Sequence, residues 1–180
     1  MRKLMTVLPL LAAFPLSAFA ADVTVCVTVS ATGPAASLGI PEQNTVAFLP
    51  QSVGDVILKY ITYDDATDPT SATRNARKCT ESDQADVLIG SSSVPTSVAV
   101  ATVAAEMSTP VVSLSPINVP ANVERWAFRA VQKNEQMASA IVEHMKKNGV
   151  KKLGYIGFTD AYGEDWLKTI TAMLKDRNIE

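Results

Sequence analysis

Asp86-Val87-Leu88-Ile89-Gly90-Ser91-Ser92-Ser93-Val94-Pro95-Thr96-Ser97 is the stretch whose reading decides the fold. A short apolar run breaks at Gly90, and three consecutive hydroxyls, a Pro-Thr-Ser and an Ala/Val-rich segment follow. The pattern predicts a buried strand, a tight loop and the start of a helix. Such a loop leaves backbone N–H groups unpaired at the positive end of the helix dipole. Serines beside them add donors without adding charge, which outlines an anion site of carboxylate size. The same residue types also suit plain helix capping, so the position of this loop in the fold has to separate the two readings.

Working outward, strand and helix alternate. Val23–Val29 is rich in β-branched residues and predicts a first strand, broken by Ser30-Ala31-Thr32-Gly33-Pro34. Ala35–Leu38 predicts a helical turn, and Pro41 suits the first position of a helix running to Phe48. Lys59–Tyr63 is the second strand, Val87–Ile89 the third, Val111–Leu114 the fourth and Trp126–Ala130 a short fifth. Helices are expected over Thr70–Thr80 and Val98–Met107. Asp64, Asp65 and Asp68 could hold a metal, but their spacing lacks the glycine and distal glutamate of a calcium loop, and they suit turns and caps. A second unit follows, with a helix capped by Asn134, a strand over Lys152–Phe158 and an amphipathic helix over Glu164–Asp176.

This alternation specifies an α/β fold with a doubly wound, mostly parallel sheet of strand order 2-1-3-4. Ligands of such sheets bind beyond the carboxyl ends of the strands. The breaks at Ser30–Pro34, Gly90–Ser93 and Ser113–Pro116 all lie at such ends and gather on one rim, which favours binding over capping alone.

The N-terminus reads as an export signal. Met1-Arg2-Lys3 precedes an apolar run from Leu4 to Phe14, and Ala18 and Ala20 frame a small-residue cleavage site before Ala21. Removing Arg2 and Lys3 takes the 16 basic residues to 14 against 18 acidic, a net charge of −4. No basic block suggests nucleic acid, and no later run has the roughly 20 apolar residues of a membrane anchor. Export permits a bridge between Cys26 and Cys79, which the 2-1-3-4 order brings to the same end of the sheet. Two separately buried thiols are the alternative, and the sequence leans towards it. P-loop, G-x-G-x-x-G and G-x-S-x-G signatures are absent, so no cofactor and no catalytic residue is implied. His144, beside Lys146 and Lys147, reads as part of a solvated helix face.

Several segments in order resemble one family: Ser30–Gly39, Tyr63–Pro69, Ile89–Ser93, Val112–Pro116 and Asp160-Ala161-Tyr162-Gly163-Glu164. Together they resemble the type I periplasmic solute-binding proteins of the leucine/isoleucine/valine class, the receptors of ABC importers. The resemblance implies two lobes, with the signal at 1–20, the first lobe at 21–130 and the beginning of a second at 131–180. It implies that Ser91, Ser92, Ser93, Thr96, Ser115 and the backbone of Ile117 hold the carboxylate of an amino acid or other small amphipathic acid, aromatic acids included. Tyr162 would pack on that ligand from the second lobe, and a membrane permease would be the partner. Leu38 stands where the family often has an aromatic, and the family's common cysteine pair falls elsewhere. A full member has about twice this length, as two domains require. The chain is therefore expected to be a fragment or the product of an interrupted gene, and to bind little ligand by itself. A soluble sensory module of the same fold and a secreted hydrolase are the rival functions.

Overall fold

The computed structural model describes residues 22–175 and 179; the expected export signal lies outside them. Val23–Val29 (β1) is the first element, followed by a helix over Ala36–Val46 (α1). A short antiparallel hairpin of Ser52–Val53 (β2) and Val56–Asp64 (β3) comes next. Pro69–Arg77 (α2) runs into a π-type turn at Lys78–Ser82. Val87–Ile89 (β4), Val94–Glu106 (α3), Val111–Ser113 (β5), Ala121–Glu124 (α4) and Ala127–Arg129 (β6) complete the sheet unit. Asn134–Lys147 (α5) and Ala161–Leu174 (α6) end the order.

The sheet order is β2-β3-β1-β4-β5-β6, with every pair parallel except the β2–β3 hairpin. The expected 2-1-3-4 order is therefore present as β3-β1-β4-β5. The hairpin strand β2 and the one-turn helix α4 were not anticipated. Both are too short to carry a periodic signal.

β1 lies at the centre and is buried on both faces, which is why its sequence is continuously β-branched rather than alternating with polar residues. Val25, Val27 and Val29 face one side, where Val46 of α1 packs. Cys26 faces the other, among Ala72 and Ala76 of α2, Leu88 of β4 and Val100 and Ala104 of α3. Small residues on α2 and α3 let these helices sit close to each other and to the sheet.

Three expectations change. Pro41 lies inside a single continuous helix α1 rather than opening one. α3 begins at Val94, with Ser93 as its cap, so Thr96 and Ser97 are helical rather than loop residues. Asn134 is the first residue of α5, and Lys133 holds the cap position.

Contact density explains one glycine. A Cβ on Gly39 would lie 2.0 Å from the carbonyl oxygen of Ser30. Gly39→Ala must push α1 off the end of β1, and overpacking of this kind costs about 1–3 kcal/mol. A lowered thermal midpoint is the expected result, and an unchanged one would mean that α1 moves freely on the sheet.

Cys26 and Cys79 are joined in a disulfide. This corrects the leaning towards separate thiols. The even-numbered face of β1 points to the α2 side, and the π-type turn returns Cys79 to that face. Sequence periodicity cannot resolve such a juxtaposition.

The second unit differs more. α5 and α6 pack through Ala138, Val142, Met145 and Ile170. The segment expected as a strand over Lys152–Phe158 has no strand assignment, because no strand among the described residues lies beside it.

Candidate functional site

The connections leave β1 towards β3 on one side and β4 on the other. The carboxyl ends of β1 and β4 thus form the switch point where an open parallel sheet has its crevice. Gly90 ends β4 with φ +141°, and a Cβ there would lie 2.1 Å from the carbonyl oxygen of Thr28. Only glycine lets the loop turn this close to β1. The Gly90–Ser91 peptide is cis.

The serines that follow turn inward. Ser91 Oγ donates to Asp65 Oδ2 at 2.5 Å, and Asp65 Oδ1 accepts from Ser30 Oγ at 2.7 Å and from the Thr67 amide at 3.0 Å. Ser30, Asp65 and Ser91 are all 0% exposed. One carboxyl therefore ties together the ends of β1, β3 and β4. Ser92 Oγ accepts from the Ser30 amide at 2.9 Å and donates to Glu42 of α1. The Ser91 amide donates to Ser97 Oγ at 2.7 Å, and both Ser97 Oγ and Ser115 Oγ donate to the Ser91 carbonyl. The Ile117 amide donates to the Ser115 carbonyl at 2.8 Å, and Arg129 Nε donates to the Ile117 carbonyl at 2.6 Å.

Ser93 and Thr96 form a reciprocal cap at the start of α3. The Thr96 amide donates to Ser93 Oγ, and the Ser93 amide donates to Thr96 Oγ1. Helix capping and the clustering of hydroxyls on the rim are thus both present in one loop. Ser93 alone of the three serines is half-buried rather than buried.

Charge at the rim is acidic. Burial raises the Glu42 carboxyl above the ordinary glutamate range, the Ser92 hydrogen bond opposes this, and the neighbouring Asp65 charge adds to the rise. Asp64 behaves oppositely. Its slight burial raises it, but hydrogen bonds from the Thr32 hydroxyl and the Ala66 and Thr32 amides outweigh that and hold it low. Asp68 is held low chiefly by the Ser71 amide as it caps α2. Asp64 and Asp68 therefore serve turn and cap, as expected, whereas Asp65 reaches into the site.

Ser91, Ser92, Ser93, Thr96, Ser115 and Ile117 thus form one hydrogen-bonded cluster. Tyr162, on the first turn of α6, is half-buried against the same core as Val94 and Ile117, with Trp166 edge-on at 6.4 Å between centroids. The starts of α3 and α6 flank an open cleft of about 250 Å³ lined by Val94, Val98, Pro116, Asn118, Ala161 and Glu164. Asp65 and Glu42 were not anticipated, while Ser30 and Ser97 were expected only as parts of the rim loop and the Asp86–Ser97 stretch, not as site residues. Asp65 carried a signal, since it directly follows β3 and shares the rim with Ser30 and Ser91. Glu42 carried none, because its approach depends on how α1 crosses the sheet.

The periplasmic binding protein family matches residues 22–180. The chain belongs to that family. An extracellular ligand-binding receptor from Rhodopseudomonas palustris HaA2 is 40% identical to it, with a TM-score of 0.86 over 88% of this chain and 44% of that one. A benzoate-bound solute-binding protein of an R. palustris ABC transporter shares the fold at 24% identity, with a TM-score of 0.74 over 88% of this chain and 46% of that one. A leucine-binding protein from Thermotoga maritima MSB8 shares it at 19% identity, with a TM-score of 0.67 over 84% of this chain and 46% of that one. The chain therefore spans less than half the length of each of these structures. No curated protein matches it. The fold is that of a type I periplasmic-binding-protein lobe with part of a second.

Proposed function

We propose that the chain forms one lobe of a periplasmic receptor that captures a small amphipathic carboxylate and delivers it to the permease of an ABC importer. The reading rests chiefly on its 40% identity, over 88% of its length, to an extracellular ligand-binding receptor. Its role is binding, with no bond made or broken. The lobe is 21–130, the start of the second is 131–180, and residues 1–20 direct export. The ligand is a branched-chain amino acid or an aromatic acid. One structure of this fold is named a leucine-binding protein, and another is in complex with benzoate.

The roles within the site divide by burial. Ser91, Ser92 and Ser115 have internal partners and keep the loop in shape. Ser93 stands half-buried at the positive end of α3, where its hydroxyl and the helix dipole favour an anion without a formal charge. Thr96 holds Ser93 in place, the Ile117 backbone forms the neighbouring wall, and Tyr162 covers the ligand from α6.

One lobe supplies only part of the contact surface of a closing receptor, so affinity is expected in the millimolar range or weaker. An NMR titration with benzoate and with leucine tests this. Amide shifts confined to Ser91–Ser93 and Ser115–Ile117, reduced in Ser93→Ala, are the expected result. No shift in either segment with either compound would remove the site.

A further inference from the structure

Asp165 of α6 touches both units of the chain. Its Oδ2 accepts from Asn134 Nδ2 at 2.6 Å, inside the second unit, and its Oδ1 accepts from Asn118 Nδ2 at 3.3 Å, on the loop that follows β5. A carboxylate acceptor fixes which end of each amide faces it. Asn134 is buried and opens α5, so the shorter bond sets Asp165 firmly within the α5–α6 pair. The longer bond reaches the sheet unit and lies at the surface. An exposed hydrogen bond exchanges with water at little net cost, which suits a contact that opens and closes.

The place of this contact ties it to the site. Tyr162 and Asp165 are three residues apart on α6, the spacing that puts two side chains on one helix face. Tyr162 packs against the core of the sheet unit. Asn118 directly follows Ile117, whose backbone walls the proposed carboxylate site. Pro116, Asn118 and Asp165 line the cleft between α3 and α6 and also a second pocket of about 160 Å³, which extends to Lys133 and Asn134 where the chain crosses between units. The Asn118–Asp165 contact is therefore the partition between cleft and crossing. We infer that Asp165 is a positioning residue, which holds Tyr162 over the Ser93 site by binding Asn118 and lets α6 swing away when that bond breaks. The inference rests on the receptor reading above.

Exchanging the two side chains tests it. Spin labels at Thr102→Cys on α3 and Thr171→Cys on α6 report the separation of the units, since both positions are exposed and the native cysteines are bridged. The labelled parent should give one narrow distance distribution. Asn118→Asp sets two carboxyls face to face and should broaden it towards longer distances. Adding Asp165→Asn should restore it, because the new amide donates to the new carboxylate while its oxygen still accepts from Asn134. A role confined to the α5–α6 pair would not respond to residue 118 at all. Benzoate affinity, read from the Ser91–Ser93 amides, should fall about threefold in Asn118→Asp, and no further when Asn118→Asp is added to Tyr162→Ala. A parent-like distribution in Asn118→Asp, no recovery in the double substitution, or an equal loss of affinity with and without Tyr162 would each overturn the proposal. The distance series needs no ligand, so it upholds or sinks the Asn118–Asp165 contact even where neither leucine nor benzoate shifts Ser91–Ser93, the result that removes the receptor site.

Discussion

Asp65→Ala is expected to lower stability by about 2–6 kcal/mol. The substitution strands two fully buried hydroxyl donors, those of Ser30 and Ser91, and each unsatisfied buried group costs about 1–3 kcal/mol. The Thr67 amide also loses its acceptor. Asp65→Asn keeps one acceptor oxygen and should lie between alanine and the parent. Urea unfolding of the three proteins measures the series. The loss should be accompanied by broadened amide signals from Ser91–Ser93, since Asp65 pins that loop to β1 and β3. If Asp65→Ala unfolds at the parent's denaturant midpoint, the hydroxyls satisfy one another and the carboxyl is not the anchor described here.

Removing the Cys26–Cys79 bridge is expected to have a comparable effect. The bond closes a loop with a sequence separation of 53, for which the chain-entropy relation gives about 4 kcal/mol. The double substitution Cys26→Ala with Cys79→Ala removes the cross-link and leaves two small apolar side chains in the core. Thiol titration of the unfolded protein should find no free thiol before reduction and two after it. Two thiols in the untreated protein would refute the bridge. Both cysteines are 1% exposed, so reductant should act on the folded protein far more slowly than on the unfolded one.

The central architecture was legible in the sequence because parallel strands buried on both faces leave short β-branched runs, and turn residues mark where each one ends. Val23–Val29, Val87–Ile89 and Val111–Ser113 show this directly. The clustering of Ser91–Ser93 with Ser115 followed from the strand order alone. The partners of those hydroxyls were less accessible. Asp65 stood in an acidic turn where turn and cap roles explained all three carboxyls, and only Asp64, in the turn, and Asp68, as the cap of α2, are confined to those roles. Glu42 reaches Ser92 through the crossing of α1 over the sheet, which no local pattern encodes. The Lys152–Phe158 segment shows the converse. Its residues prefer a strand, but a strand exists only as a member of a pair, and the preference goes unanswered among the described residues.

The central place of β1 also has a consequence for the order of assembly. β1 leaves the ribosome before its neighbours, yet its hydrogen-bond partners are Leu58–Asp64 on one side and Val87–Ile89 on the other. Both must be synthesised before the middle of the sheet can form. Contacts so distant in sequence slow folding and keep apolar strands bare for longer. The middle of the sheet therefore cannot form until Ile89 has been made, and up to that point the chain can be threaded through a narrow pore.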